Sequence, residues 1–405
     1  VPSLYKPIYK KSGIIEKYKK LHEDIPDKIK KQVVSDLSDV SYPDKPLVPY
    51  IKAVQDRGVL EIQRGCIRGC RFCQAGMIYR PLRERSLEFL TDKAEKMISS
   101  TGYEEISLSS LSSSDYSKLP ELVYHLIENY KTKGINISLP SLRIDAFALD
   151  VMEKVQDIRK SSLTFAPEAG SQRLRNVINK GLTLENILNG SMDAFKSGWT
   201  RVKLYFMLGL PTETEEDIEE IAILSNEIAK KYFTIAKEER KGRPEIVISS
   251  SFFIPKPFTP FQWASMDTAE IFDEKRRFLL SKVKSQMNHK SLRYQCHDAK
   301  TSEIEGTMAR GDRRLSKVIY SAYRKGCLYD SWTEHFKPGL WEEAMQEEGL
   351  NYDFYNTRKR EWDEVFPWDI IDIGVTKNFL LKEYKKSLKE QITPNCSMEC
   401  SGCGM

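Results

Sequence analysis

The chain has no apolar run long enough to cross a bilayer, which excludes a spanning helix within it. No charge of one sign prevails, because the formal net charge is only +5 over 405 residues. Basic residues crowd the first third, as in Lys28-Ile29-Lys30-Lys31, but acids alternate with them. That pattern describes a solvated face rather than a nucleic-acid footprint. Histidine is scarce: of five, His22, His125, His289 and His335 stand isolated, as core or surface histidines do. The opening Val1-Pro2-Ser3-Leu4-Tyr5 lacks a secretory leader, and its lack of Met suggests a piece of a longer protein. Neither an internal repeat nor a low-complexity tract is present.

Cysteine is sparse but unevenly placed. Six of the eight cysteines fall in two tight groups, the distribution of ligands rather than of a disulfide ladder. A chain of this length needs no covalent staples, so a reducing, cytoplasmic location is expected.

The first fifty residues are polar and punctuated by Pro2, Pro7, Pro26, Pro43 and Pro46, which predicts a linker or cover segment over residues 1–50. From 51 to 275 short β-rich runs alternate with helical patterns. Strands are expected at Val59–Ile62, Glu105–Leu108, Ile135–Leu139, Leu163–Phe165, Val202–Leu208 and Glu245–Ile254, with helices near Leu87–Ile98 and over Leu119–Tyr130. Near-continuous apolar strands joined by helical crossovers imply parallel strands buried on both faces. The fold class is therefore α/β, a partial (βα)6 TIM-type barrel. A doubly wound open sheet is the rival, but cysteines occupy the turn where its glycine-rich phosphate loop would lie. Residues 276–405 are expected to form a smaller, mostly helical domain, with helix pieces at Leu315–Tyr323 and Trp341–Met345.

The first cysteine group reads Gly65-Cys66-Ile67-Arg68-Gly69-Cys70-Arg71-Phe72-Cys73-Gln74-Ala75-Gly76. Three thiolates at spacings of four and three can reach three corners of an iron–sulfur cubane. No fourth ligand lies nearby, whereas a structural zinc site would want four. Gly65, Gly69 and Gly76 let the loop wrap a bulky group.

Cys-x3-Cys-x2-Cys with an aromatic, Phe72, before the last Cys resembles the radical S-adenosylmethionine (SAM) superfamily. Further segments extend the resemblance: Gln74–Pro81, Leu108–Leu111, Pro140–Asp145, Phe165–Gly170 and the terminal cysteines. Together they resemble an uncharacterised bacterial radical SAM family with an N-terminal cobalamin-binding-type domain. That domain would precede Val1, and no Asp-x-His-x-x-Gly cobalamin motif occurs here. Cobalamin is thus implied by resemblance only, and only with that further domain.

The resemblance implies that Cys66, Cys70 and Cys73 hold a 4Fe–4S cluster whose open iron chelates SAM. An electron from a flavodoxin or ferredoxin would then cleave SAM to a 5′-deoxyadenosyl radical. It also assigns supporting positions. The serine-rich turn Ser107–Asp115 stands where relatives hold the SAM amino group, although the usual Gly-Gly-Glu is absent. Ser141 and Arg143 can meet the SAM carboxylate or ribose, the alternative being a buried Arg143–Asp145 ion pair. Glu168 can accept from ribose hydroxyls and Arg173 can fork onto the SAM carboxylate. Lys180-Gly181 is read as a helix C-cap. Gly209 allows the close approach that adenine packing needs. Pro255–Trp263 either lines a substrate mouth or is a packed connector.

The tail repeats the spacing with Cys396, Cys400 and Cys403. It can hold a second iron–sulfur cluster, take zinc with Cys296, His297 or Cys327 as fourth ligand, or be a disordered tail. His297-Asp298 and Arg310-Gly311-Asp312-Arg313-Arg314 can contact substrate or tie the last domain to the barrel. The leading expectation is a radical modification of a substrate that the sequence does not name: RNA, protein or small molecule. One alternative is methyl or methylthio transfer to RNA or ribosomal protein. Another is a non-catalytic iron–sulfur electron carrier or scaffold.

Overall fold

A computed structural model describes residues 2–51, 53–54, 56–139 and 163–405. Seven parallel strands run in chain order: β1 Gly58–Glu61, β2 Glu105–Ser109, β3 Asn136–Ser138, β4 Leu163–Glu168, β5 Arg201–Leu208, β6 Glu245–Phe252 and β7 Leu292–Cys296. The first three form one sheet in the order β1-β2-β3, and the last four form another in the order β4-β5-β6-β7. Each strand's neighbour is the next in sequence, which is how a βα barrel winds. The architecture is α/β, a partial barrel. Strand β7 begins seventeen residues after position 275, so the parallel sheet runs past the end expected for the core.

Helices cover one face of each sheet. Helix α1 (Leu87–Thr101) starts at Ser86, whose hydroxyl accepts from the Phe89 N–H, and stops at Gly102 with φ 70°. With α2 (Leu119–Tyr130) it buries Leu60, Ile106, Leu108 and Ile137. The short helix α3 (Gln172–Val177) follows β4, and on the second sheet α4 (Leu184–Lys196), α5 (Glu215–Phe233) and α6 (Ala269–Ser285) bury Phe165, Val202, Leu204, Phe206, Ile246 and Ile248. Leu139 packs against both cores and joins the two halves.

Burial on both faces, as expected, holds for β2 over Ile106–Leu108 and for β6 over Ile246–Ile248, but not for β1 and β5. In β5 the alternate residues Val202, Leu204, Phe206 and Leu208 face the helices, while Tyr205 on the other face is 42% exposed; in β1 Val59 is 46% exposed. Among the described residues the inner face is thus part-exposed at β1 and β5, where a bound molecule has a place to sit.

Gly209 follows β5 at φ +86°, and a Cβ there would lie 2.6 Å from the Phe272 ring of α6. Its N–H donates to the buried Glu213 at 2.7 Å. Gly209→Ala combines left-handed strain with overpacking and should destabilise by about 2–4 kcal/mol. A fall in the urea midpoint checks this; an unchanged midpoint would mean that Phe272 yields freely.

The N-terminal fifty residues are more ordered than a linker. Tyr5–Tyr9 and Ile15–Lys20 pair as an antiparallel hairpin, and Ile29-Lys30 pairs in parallel with Ile371-Asp372. At the other end, Leu315–Arg324 and Pro338–Glu347 share a small core with Tyr355. Residues from Phe366 onward leave that core and pack back on the barrel: Phe366, Trp368, Phe379, Leu380 and Cys403 bury Met77 and Trp263.

Candidate active site

Strand β1 delivers the chain into the first cysteine group. Its end is fixed by the Ile62 N–H to Ser109 carbonyl bond at 3.0 Å and by the antiparallel pairing of Gln63-Arg64 with Arg83-Glu84. Gly65 then turns at φ +96°, where a Cβ would lie 2.6 Å from the Pro81 carbonyl oxygen and 2.7 Å from that of Tyr79. Only glycine passes this gap without moving backbone.

Cys66, Cys70 and Cys73 are free, half-buried thiols on this loop. The Arg68 N–H points at Cys66 Sγ from 3.4 Å, and the Gly76 N–H at Cys73 Sγ from 3.3 Å. Cys73 also N-caps the short helix Gln74–Ile78. Burial pushes the Cys66 thiol up to about 11, and the neighbouring Cys70 and Cys73 add to the shift. Burial, then Cys70, likewise raises Cys73. The thiols thus share one low-dielectric patch, in which bound iron would compensate their negative charge. Among the described residues no three His, Cys, Asp or Glu side chains are gathered as for a single ion. The iron corners of a cubane hold their thiolates farther apart than one ion does, and three unpaired thiols on one loop fit that donor set.

The loop is held from several sides. Arg68 forks onto Asp115, with Nε 2.9 Å from Oδ2. Arg71 is fully buried: it donates to the carbonyls of Asn176 (3.1 Å), Val177 (2.9 Å) and Gln391 (2.6 Å) and pairs with Glu383 at 3.1 Å. Asn179 bridges the Gly69 carbonyl and both backbone groups of Thr393. The Cys396 N–H donates to the Ile67 carbonyl at 3.0 Å. The tail therefore lies directly against the first cysteine loop. Cys396 and Cys400 are exposed and Cys403 is buried. By contrast Cys327 belongs to the separate core around Tyr355, and Cys296 lies on β7.

Other sequence-selected residues divide. Glu168 ends β4 at φ 69° and pairs with Lys180 at 3.1 Å; Lys180 Nζ in turn lies 5.8 Å from the centre of the Phe72 ring. The charges of Glu168 and Lys180 are both felt at Cys73. Phe72, Cys73 and Glu168 are thus brought together, and Lys180, read as a cap, joins them. Arg173 is engaged elsewhere, with Asp217, Glu390 and the Thr212 carbonyl. Its partner Asp217 also completes the capping box of α5. Gly209 is spent on its contact with α6. Ser141 and Arg143 lie outside the described residues. The Pro257 carbonyl accepts from the Gln74 side chain at 3.2 Å, so the segment after β6 touches the cysteine helix.

A cavity of about 400 Å³ opens beside the loop, lined by Glu61, Gln63, Gly65, Tyr79, Ser109 and Ser110 among others. Burial opposes ionisation of Glu61, but the Arg64 and Arg85 guanidiniums outweigh it and hold the carboxyl below its usual range. Gln63 is 2% exposed and donates to the Ser112 carbonyl at 2.6 Å, which leaves its buried Oε1 unpartnered. Sequence reading missed Gln63, Asn179 and Arg71, since polar residues near a motif look alike until their burial is known.

A family model described as the Radical SAM superfamily matches residues 60–224. An uncharacterized protein of Methanocaldococcus jannaschii is 35% identical over 297 residues, 71% of this chain and 62% of its own length. A putative methylthiotransferase of the same organism is 27% identical, covering 44% of this chain and 42% of that protein. A tRNA-2-methylthio-N(6)-dimethylallyladenosine synthase of Bartonella henselae is also 27% identical, covering 44% and 41%. The chain thus spans less than two thirds of each of these relatives. Among solved structures, a radical S-adenosylmethionine methyltransferase from Kitasatospora setae aligns with TM-score 0.43 and 10% identity, over 72% of this chain and 61% of that one. The cysteine loop lies inside the matched segment, at the end of its first strand, and residues 60–224 are thus a radical SAM superfamily segment.

Proposed function

We propose that the chain binds a 4Fe–4S cluster on Cys66, Cys70 and Cys73 and uses it with SAM to modify a substrate by radical chemistry. The observation that carries this reading is the set of three unpaired thiols on one strand-end loop, next to a cavity of about 400 Å³. When bound, the cluster supplies the electron that breaks a sulfonium carbon–sulfur bond of SAM, with a flavodoxin- or ferredoxin-class donor restoring it. The chain's own residues do the rest. The backbone N–H groups of Arg68 and Gly76 favour thiolate at Cys66 and Cys73. Gln63, buried and tied to the Ser112 carbonyl, gives the cavity a fixed polar wall. The part-exposed inner face of β1 and β5 leaves room for substrate.

The test is anaerobic reconstitution with iron and sulfide, then dithionite and SAM. Release of 5′-deoxyadenosine supports the reading; a reconstituted protein that shuttles electrons but leaves SAM whole would be a carrier instead.

Methylthio transfer is the second reading, favoured by the names of two of the relatives. Mass spectrometry of RNA and proteins from cells lacking the gene distinguishes it: a lost methylthio group on either supports it.

The tail cysteines are proposed to hold a second cluster, supported by their repeat of the spacing and by the seat of Cys396 on Ile67. Replacing Cys396 and Cys400 together by Ala should lower bound iron from about eight to about four atoms per chain and leave part of the SAM cleavage intact. Unchanged iron content would remove the second cluster; complete loss of cleavage would show that the two cysteine groups do not act separately.

A further inference from the structure

Beneath the N-terminal hairpin, between the end of α7 (Ala299–Arg310) and residues 354–367, four arginines meet two carboxylates. Two of the four are neutralised. Arg358 forks onto Glu364, with Nη1 2.8 Å from Oε2, and Arg314 forks onto Asp312, with Nη2 2.6 Å from Oδ2. Arg310 and Arg360 are left without a carboxylate of their own. Arg310 is 1% exposed; it gives one bond, to the Ala264 carbonyl at 2.8 Å, and its Nε and Nη2 have no partner. Arg360 is 6% exposed; its Nη2 reaches the Tyr355 carbonyl at 3.0 Å and its Nε has no partner. Its Nη1 stands 3.7 Å from the Glu364 oxygen that Arg358 already holds. The Tyr355 hydroxyl is a further buried, unpartnered group.

With Arg314 standing behind Asp312, Arg310, Arg358, Arg360, Asp312, Glu364 and Tyr355 line one small cavity, with a free volume near 10 Å³. That is room for one body about the size of a water molecule. A guanidinium does not shed its proton in a protein, and leaving a buried charge uncompensated is costly. Water would accept from these donors, but it would bring no charge to offset the two guanidiniums. The aromatic faces of Phe366 and Trp368, 5.5 and 5.7 Å from the Arg360 guanidinium carbon, offset part of its charge but accept nothing from Nε.

We propose that this cavity binds one monatomic anion of the chloride class, held by Arg310, Arg360 and the Tyr355 hydroxyl. The site lies where three parts of the chain converge. Arg314 also donates to the Gly13 carbonyl of the hairpin at 3.0 Å, Arg310 holds the turn before α6, and Arg360 lies against Phe366 and Trp368. Those two aromatics belong to the core that buries Met77 behind the cysteine loop. The anion would fasten the N-terminal hairpin and the returning C-terminal segment to the barrel.

Crystals of the full chain soaked in bromide, measured at the bromine edge, give the direct test. An anomalous peak within hydrogen-bond reach of Arg310 and Arg360 supports the site; water-like density with no anomalous signal overturns it. In solution, replacing gluconate by chloride at fixed ionic strength should raise Tm by about 2 °C. The gain should vanish in Arg360→Met. A Tm that follows ionic strength alone, whatever the anion, would also overturn the proposal. Neither readout depends on SAM cleavage, so the site and the radical reading can fail separately.

Discussion

Cys66→Ala is expected to abolish 5′-deoxyadenosine release, to below about one thousandth of the unaltered rate, while the protein stays folded. Cys66 is well suited to this test because its thiol carries no structural bond beyond the 3.4 Å approach of the Arg68 N–H, whereas Cys73 also caps a helix. Cys66→Ser is the stricter control. It keeps the size and the acceptor but replaces a soft thiolate with a hard hydroxyl that iron–sulfur clusters hold poorly. Iron content, the visible absorption of the reconstituted protein and product release should fall together in both variants, with the thermal transition little changed. Retention of full release by Cys66→Ala would end the assignment of this loop.

Arg71→Met should cost about 2–3 kcal/mol, because the buried Glu383 loses one of its two cations and keeps only Lys386, at 3.0 Å. Arg71 is completely buried and Glu383 is 2% exposed. Burial holds the arginine below its ordinary pKa, and Glu383 opposes that shift. Removal of the arginine also frees three carbonyls, on Asn176, Val177 and Gln391. The double variant Arg71→Met/Glu383→Gln removes the half-compensated carboxylate and should recover part of the loss, since Lys386 is exposed enough to be solvated once unpaired. That recovery, read from urea unfolding midpoints, separates the ion pair from simple packing. The single variant should also make residues after α8 (Lys377–Ser387) more open to proteolysis, since Gln391 loses its tie. If the double variant is no more stable than the single one, the pair contributes little and the three carbonyl bonds carry the effect.

Much of this fold was legible because strand and helix periods differ. The apolar runs of β1, β2 and β5 and the helical spacing over Leu119–Tyr130 mark elements that the structure contains. Strand β7 was not legible: Leu292-Arg293-Tyr294-Gln295-Cys296 alternates half-buried with exposed residues, so it lacks a buried strand's run. The N-terminal hairpin escaped for a related reason. Its residues are mostly polar, and its order comes from contacts with positions more than three hundred residues away, such as Tyr18 with the Pro367 carbonyl.

By itself the sequence determined the set proposed to carry the chemistry: three cysteines at fixed spacing after a strand, with glycine where the loop needs it. Local rules suffice for that, because ligand spacing and backbone freedom are properties of neighbouring residues. Only the tertiary structure decided that Lys180 and Glu168 stand beside Cys73, that Arg173 is held by Asp217, and that the tail rests on the first cysteine loop. It also decided which arginines are left without a carboxylate. Burial and charge balance are sums over residues far apart in the chain, and no local pattern contains them.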